Sequence, residues 1–326
     1  MGPLFLLAAS GTAALAAKAL RVVLRERRGG VVALLYHRVR TPESYEQLRG
    51  PERNFSVRAD RFEEQIRWLV ERGSTFVTLD RLHRIVTGLE PAPPRCVAVT
   101  FDDGSASVAE LAAPILARYG VPATVFVTAD PAAWVFEDQP RLTTDALRSL
   151  RDAGWSIGAH GLSHHGLNEC HDEGLARELS ESRALLEAEL EAPVRDMAVP
   201  LNFYDERVLA AARRAGYRMV FTANPGSLLP GDRDHELRRI AVEGGQTLRD
   251  LEGSLRPMAL ARRRLVHAAK RLPPRLLGEA RWMPLRRAIF HSPLGPWLTA
   301  RHLGNALTGL AVVWCGVLVV LALSPL

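Results

Sequence analysis

Two short stretches of this chain carry residues that could do chemistry. The first, Val97-Ala98-Val99-Thr100-Phe101-Asp102-Asp103-Gly104, runs from apolar and β-branched residues straight into two adjacent carboxylates and a glycine. Such a run predicts a buried parallel strand. Side chains at the carboxyl end of such a strand meet the crevice where α/β proteins bind and react. Two neighbouring Asp repel each other, so a cationic partner is expected, most simply a metal ion. The second stretch, Ser156-Ile157-Gly158-Ala159-His160-Gly161-Leu162-Ser163-His164-His165, also follows a strand-like run. It can bring His160 and His164 to the same rim as Asp102 and Asp103. Two imidazoles and a carboxylate form a facial site for a catalytic divalent metal, with positions left for water and substrate. Either stretch alone is ordinary, because Asp-Asp-Gly is a common turn and a His pair is more often structural. Their coincidence at two strand ends is what points to a site.

For both stretches to share a rim, the chain must form a parallel sheet. Strand-like runs fall at 31–36, 75–79, 96–101, 123–128, 156–159, 195–199, 219–222 and 239–242. Between them lie helical patterns at 59–72, 80–86, 144–152, 175–190 and 205–215, and another helix leads from the Asp pair to Tyr119, ended by Gly120. In the helix at 59–72, Phe62, Ile66, Leu69 and Val70 recur at helical spacing and Asp60 stands near the start. Strands alternating with helices predict an α/β fold with a parallel sheet, open or closed into a barrel.

The ends of the chain differ from its middle. Between Arg256 and Arg301, eleven Lys and Arg face one acid, Glu279. Residues 1–30 are also net basic, so the net charge of +6 sits on the flanks and the middle is acidic. That distribution argues against nucleic acid as a partner. Cys96, Cys170 and Cys315 form no Cys-x-x-Cys pair and read as small apolar residues. Residues 303–326 carry no charge and predict a transmembrane helix. Residues 1–24 are mostly apolar around Lys18 and read as an uncleaved membrane anchor, with a signal peptide as the competing reading. The Arg-rich residues 256–302, with Trp282 and Trp297, suit contact with lipid headgroups. The expected organisation is therefore a membrane segment at 1–30, a catalytic domain at 31–255, a basic juxtamembrane segment at 256–302 and a membrane helix at 303–326. The lipid membrane is the expected partner and the cell membrane the expected location. Positive-inside charge favours a cytoplasmic domain, yet long domains override local charge, and the face is left open.

Residues 31–243 resemble the NodB-homology polysaccharide deacetylases. Thr100-Phe101-Asp102-Asp103-Gly104 matches that family's first motif, and His160-Gly161-Leu162-Ser163-His164 matches its second, H-[ST]-x-x-H, except at Gly161. Leu35-Tyr36-His37-Arg38-Val39 and Tyr119-Gly120-Val121-Pro122-Ala123 add to the likeness. The resemblance implies a distorted (β/α) barrel, here flanked by transmembrane helices, and a hydrolase removing N-acetyl groups from an amino sugar in a polysaccharide or glycan. It implies Asp103, His160 and His164 as ligands of a divalent metal, zinc first, with cobalt or nickel as alternatives. His165 competes with His164 for the second imidazole position. The resemblance also implies Asp102 as the base acting on water, the Leu201 backbone amide as oxyanion donor, and a histidine as general acid. His37 ranks first for that acid, ahead of His235 and His267. Two departures stand out: Ala198 falls where the family's third motif has arginine, and Leu201 replaces its aromatic residue. Two rival functions follow, a deacylase or deformylase of a lipid-linked amino sugar, and an inactive barrel retained for glycan binding.

Overall fold

The computed structural model describes residues 17–134 and 139–270. The chain divides into two units, Gly29–Leu255 on one hand and Met1–Arg28 with Arg256–Leu326 on the other. In chain order the strands of the larger unit are β1 (Val32–Tyr36), β2 (Arg38–Arg40), β3 (Ser56–Arg58), β4 (Thr75–Phe76), β5 (Cys96–Phe101), β6 (Ala123–Val127), β7 (Ser156–Ala159), β8 (Asp196–Ala198), β9 (Met219–Phe221) and β10 (Ile240–Ala241). Eight of them form one sheet in the order β10-β1-β5-β6-β7-β8-β9, with β4 also paired to β5. β2 and β3 pair separately, and all these ladders are parallel.

The expected parallel α/β arrangement is present, and β5 lies at its centre. All six of its residues are buried, as a strand covered on both faces requires. The stretch just before β10 joins the two edges of the sheet. The Leu237 amide donates to Val220 O at 2.9 Å and the Thr222 amide to Leu237 O at 2.7 Å. Ile240 and Ala241 then pair with Leu34 and Leu35 of β1. One irregular segment thus links β9 to β1 and curls the sheet into a partial barrel.

Side-chain size sets the curvature. Ala33, Ala98 and Ala198 share a buried cluster with Phe126 and Phe221, whose ring centroids are 5.2 Å apart. Gly158 has no side chain because a Cβ there would lie 2.5 Å from the Phe126 ring and 2.8 Å from Asp196 O. Helix Leu79–Val86 buries Leu79, Leu82, Ile85 and Val86 in the same cluster. Each such side chain contributes about 1.5–3 kcal/mol. Helix Ala59–Glu71 buries Phe62, Gln65, Ile66 and Leu69, with Phe62 edge-on to Tyr36 at 5.1 Å.

Helix starts follow local capping chemistry. Thr78, Thr143 and Asp205 each accept a hydrogen bond from the amide three residues on. The Thr78 cap starts its helix at Leu79 and limits β4 to two residues, which corrects the longer strand expected at 75–79. The helix expected after the Asp pair begins as a wide π-turn at Val108–Ala112, then continues as α-helix Ala113–Arg118 with Pro114 in its first turn.

In the smaller unit, residues 17–27 are helical, and helix Pro257–Lys270 occupies part of the basic segment. Glu26 is buried there and accepts a 2.5 Å hydrogen bond from Arg264 Nη1. Among the described residues no helix is long and apolar enough to cross a membrane. The membrane helix expected at 303–326 and most of the anchor expected at 1–24 lie outside the described residues.

Candidate active site

The carboxyl ends of β1, β5, β7 and β8 converge, and between them they deliver the residues expected to do chemistry. β1 pairs with β5 so that Tyr36 faces Phe101, and the Asp102 amide donates to Tyr36 O at 2.9 Å. His37 and Asp102 are therefore neighbours across adjacent strands. The loop after β6 holds the two motif-bearing loops together. Thr128 N donates to Asp103 O, Ala129 N to Gly161 O and Asp130 N to Leu162 O, each at 3.0 Å. Asp103 and His164 both adopt left-handed backbone, with φ of 72° and 60°. For non-glycine residues that conformation costs about 1–3 kcal/mol and clusters at functional sites.

Asp103, His160 and His164 offer donor atoms that all lie within 4.8 Å of one another. Asp103 Oδ1 stands 3.3 Å from His164 Nε2 and 3.6 Å from His160 Nε2. These spacings are long for charge-assisted hydrogen bonds. They suit ligands of one ion, since metal bonds of about 2.0–2.1 Å at a tetrahedral angle put ligand atoms roughly 3.4 Å apart. The His160 Nδ1–H donates to Ala198 O at 3.0 Å, a bond that leaves the Nε2 lone pair facing Asp103. Burial pushes the His160 imidazole down to about 4, so it is neutral, as a ligand must be. At Asp103, burial works upward, but the imidazoles of His164, His37 and His160 outweigh it and hold the carboxyl well below the usual range. The residues present therefore fit a divalent metal. His165 is exposed, bonds Ser163 Oγ through Nδ1 at 2.7 Å and is not part of the donor set.

Asp102 stands beside this set, with Oδ2 4.0 Å from His160 Nε2. Arg239, from the segment leading into β10, grips it with both arms: Nη1 to Oδ1 at 2.6 Å and Nη2 to Oδ2 at 2.7 Å. Arg239 also donates to Thr100 Oγ1 and Thr222 O and lies over the rings of Phe126 and Phe221. Burial alone would raise the Asp102 pKa; Arg239, with His160 and His37, brings it below the usual carboxylate value. Arg239 is not among the residues expected from sequence. The third motif of the resembling family places an arginine at position 198, and this chain has alanine there. The guanidinium here comes from the residue just before the last strand, 137 residues from its partner. Its only signal in the sequence is an arginine entering a predicted strand. A second arginine, Arg38, reaches Asp103 Oδ2 at 3.4 Å and pairs with Glu52. The mutual repulsion of the Asp pair is thus answered by guanidinium groups as well as by a metal-sized gap.

His37 is half-buried, and its ring meets Phe55 at 4.9 Å. Burial lowers its pKa against the pull of Asp103 and Asp102, so its environment couples it to both carboxylates. His235 is a poor rival, because its ring is held by Tyr217 O at 2.8 Å and Asp234 at 2.6 Å. His267 lies on helix Pro257–Lys270 in the other unit. Leu201 follows β8 with φ of 56°, and its amide has no acceptor among the described residues. A Cβ at Gly161 would lie 3.0 Å from Pro200, so the Leu201 turn packs against the His160 loop.

Among known proteins, this chain is similar to hydrolases acting on carbon–nitrogen bonds other than peptide bonds. Residues 90–220, which include both motifs, match the sequence profile of the polysaccharide deacetylase family. It is 26% identical over 222 residues to YxkH of Bacillus subtilis, named as a polysaccharide deacetylase, covering 68% of this chain and 75% of that protein. It is 25% identical over 240 residues to the poly-beta-1,6-N-acetyl-D-glucosamine N-deacetylase of Staphylococcus aureus, covering 67% of this chain and 81% of that one. The fold is similar to that of the Streptococcus pyogenes deacetylase PplD solved with acetate. The TM-score there is 0.61 at 23% identity, over 70% of this chain and 99% of that one.

Proposed function

We propose that this protein removes N-acetyl groups from a polymer of N-acetylated amino sugars, using a divalent metal, zinc first, held by Asp103, His160 and His164. The observation that carries the reading is the buried Asp102–Arg239 pair set beside that donor set. A relative named for poly-N-acetylglucosamine supports the polymer as substrate. The metal would supply Lewis acidity and a water that ionises near neutral pH. Asp102, kept ionised by Arg239, accepts the proton of the attacking water at a carboxylate oxygen. The Leu201 amide donates to the amide oxygen of the substrate as charge develops there. His37 delivers a proton to the departing nitrogen. The products are acetate and a free amine.

The buried ion pair speaks against an inactive glycan-binding barrel, since a bare binding surface has no need of an ionised carboxylate beside three metal donors. The test is acetate release from N-acetylglucosamine polymers alongside metal content. His160→Ala is expected to lose both, with metal measured by elemental analysis; full metal content in that variant would remove His160 from the ligand set. If metal is bound but no acetate appears, a lipid-linked amino sugar carrying another acyl group becomes the substrate to try.

We also propose attachment to the cell membrane, supported by the uncharged residues 303–326 and the basic stretch before them. Removing 303–326 is expected to shift the protein from the membrane to the soluble fraction. Unchanged fractionation would sink the anchor.

A further inference from the structure

The two histidines at 164 and 165 are chemically equal candidates for one ligand position, and their choice is made by a residue outside the motif. Glu178 lies on helix Asp172–Leu190 and is buried, with 8% of its surface exposed. Its Oε2 accepts from the Leu162 amide at 2.8 Å and from the Ser163 amide at 3.2 Å. Its Oε1 accepts from the Ser163 hydroxyl. Three donors of the loop between His160 and His164 therefore end on one carboxylate. Ser163 Oγ in turn accepts from His165 Nδ1 at 2.7 Å, so a chain runs from His165 through Ser163 to Glu178. The loop is also tight at position 161, where φ is 74° and a Cβ would lie 3.3 Å from Glu178 Oε2 and 3.0 Å from Pro200. Gly161 is the one departure from the second motif, and it has no hydroxyl with which to satisfy the loop from within.

We infer that Glu178 is a positioning residue that sets the ligand register of the metal site, holding His164 inward and His165 outward. The loop is short, and His164 and His165 are adjacent in it. His164 is kept inward at a left-handed φ of 60°, a conformation that a free loop does not favour. The hydrogen bonds to Glu178 offset that cost, two of them from backbone amides of the loop itself. Residues that orient ligands without touching the metal typically change affinity by about 10–100-fold.

This inference rests on the metal site proposed above, and its test separates the two. Zinc affinity and the cobalt absorption spectrum are measured on the full chain with Glu178→Ala, Glu178→Gln and Ser163→Ala, and with His164→Ala and His165→Ala in each background. In the wild-type background His165→Ala should leave zinc affinity within about twofold, and His164→Ala should abolish it. Glu178→Ala should weaken zinc about tenfold or more and change the cobalt spectrum, and there the His164→Ala and His165→Ala variants should become similar. Ser163→Ala keeps both backbone amides and should fold even if Glu178→Ala does not. It should show a smaller shift in the same direction, because the hydroxyl's bond to Glu178 and its link to His165 are lost while the two amide bonds stay. A wild-type cobalt spectrum and zinc affinity in Glu178→Gln and Ser163→Ala would overturn the positioning role. Absence of metal from the wild-type protein would overturn the site itself.

Discussion

Replacing Asp102 by Asn is expected to cut turnover by about a thousandfold while the protein keeps its metal. The two carboxylates of the pair are adjacent in sequence but have different surroundings. Asp103 faces both imidazoles at 3.3 and 3.6 Å, whereas Asp102 is gripped by Arg239 and comes only within 4.0 Å of His160. Asn at 102 preserves shape and one acceptor but cannot take a proton from water. One of the two Arg239 bonds is lost, so the melting temperature should also fall modestly. Acetate release under single-turnover conditions, with metal content determined on the same sample, reads both effects. Wild-type turnover would remove Asp102 from the mechanism. Loss of metal would make it a ligand and reassign the pair.

Much of this site is legible in the amino-acid sequence, for a definite reason. Asp102, Asp103 and His160 sit directly after strands, with His164 in the loop that follows His160, and in a parallel sheet strand ends share one rim. Their placement needs only the register of short apolar runs, and the structure brings them together. The choice of His164 over His165 is not legible, because it depends on a left-handed residue and a glutamate one helix away. Glu178 looks in sequence like any charge on an amphipathic helix; burial distinguishes it, and burial is a tertiary property. The fold shows the same division. The long buried strand β5 and the capped helices follow from local pattern. The linkage of β9 to β1 does not, because it runs through an irregular segment with a single bridge, Phe221 to Leu237. A bridge of one residue pair leaves no periodicity to detect.

Arg239→Met is expected to be the more damaging change for the fold. Asp102 and Arg239 are both almost fully buried, and removing the cation leaves an uncompensated carboxylate in an apolar surround that includes Phe126 and Phe221. Breaking a buried pair in this way costs about 3–5 kcal/mol. Arg239→Lys should recover little, because an ammonium cannot make the two parallel bonds of 2.6 and 2.7 Å. A structural ion pair and a catalytic one then give different patterns in a double-variant cycle. Combining Asp102→Asn with Arg239→Met removes the stranded charge, so the double variant should be more stable than Arg239→Met alone, by denaturant unfolding. Its activity should stay at the level of Asp102→Asn, because Arg239 acts on the reaction through Asp102. If the double variant loses further activity, Arg239 has a separate contact with the substrate. If stability costs simply add, the two residues are not coupled and Arg239 does not hold the base.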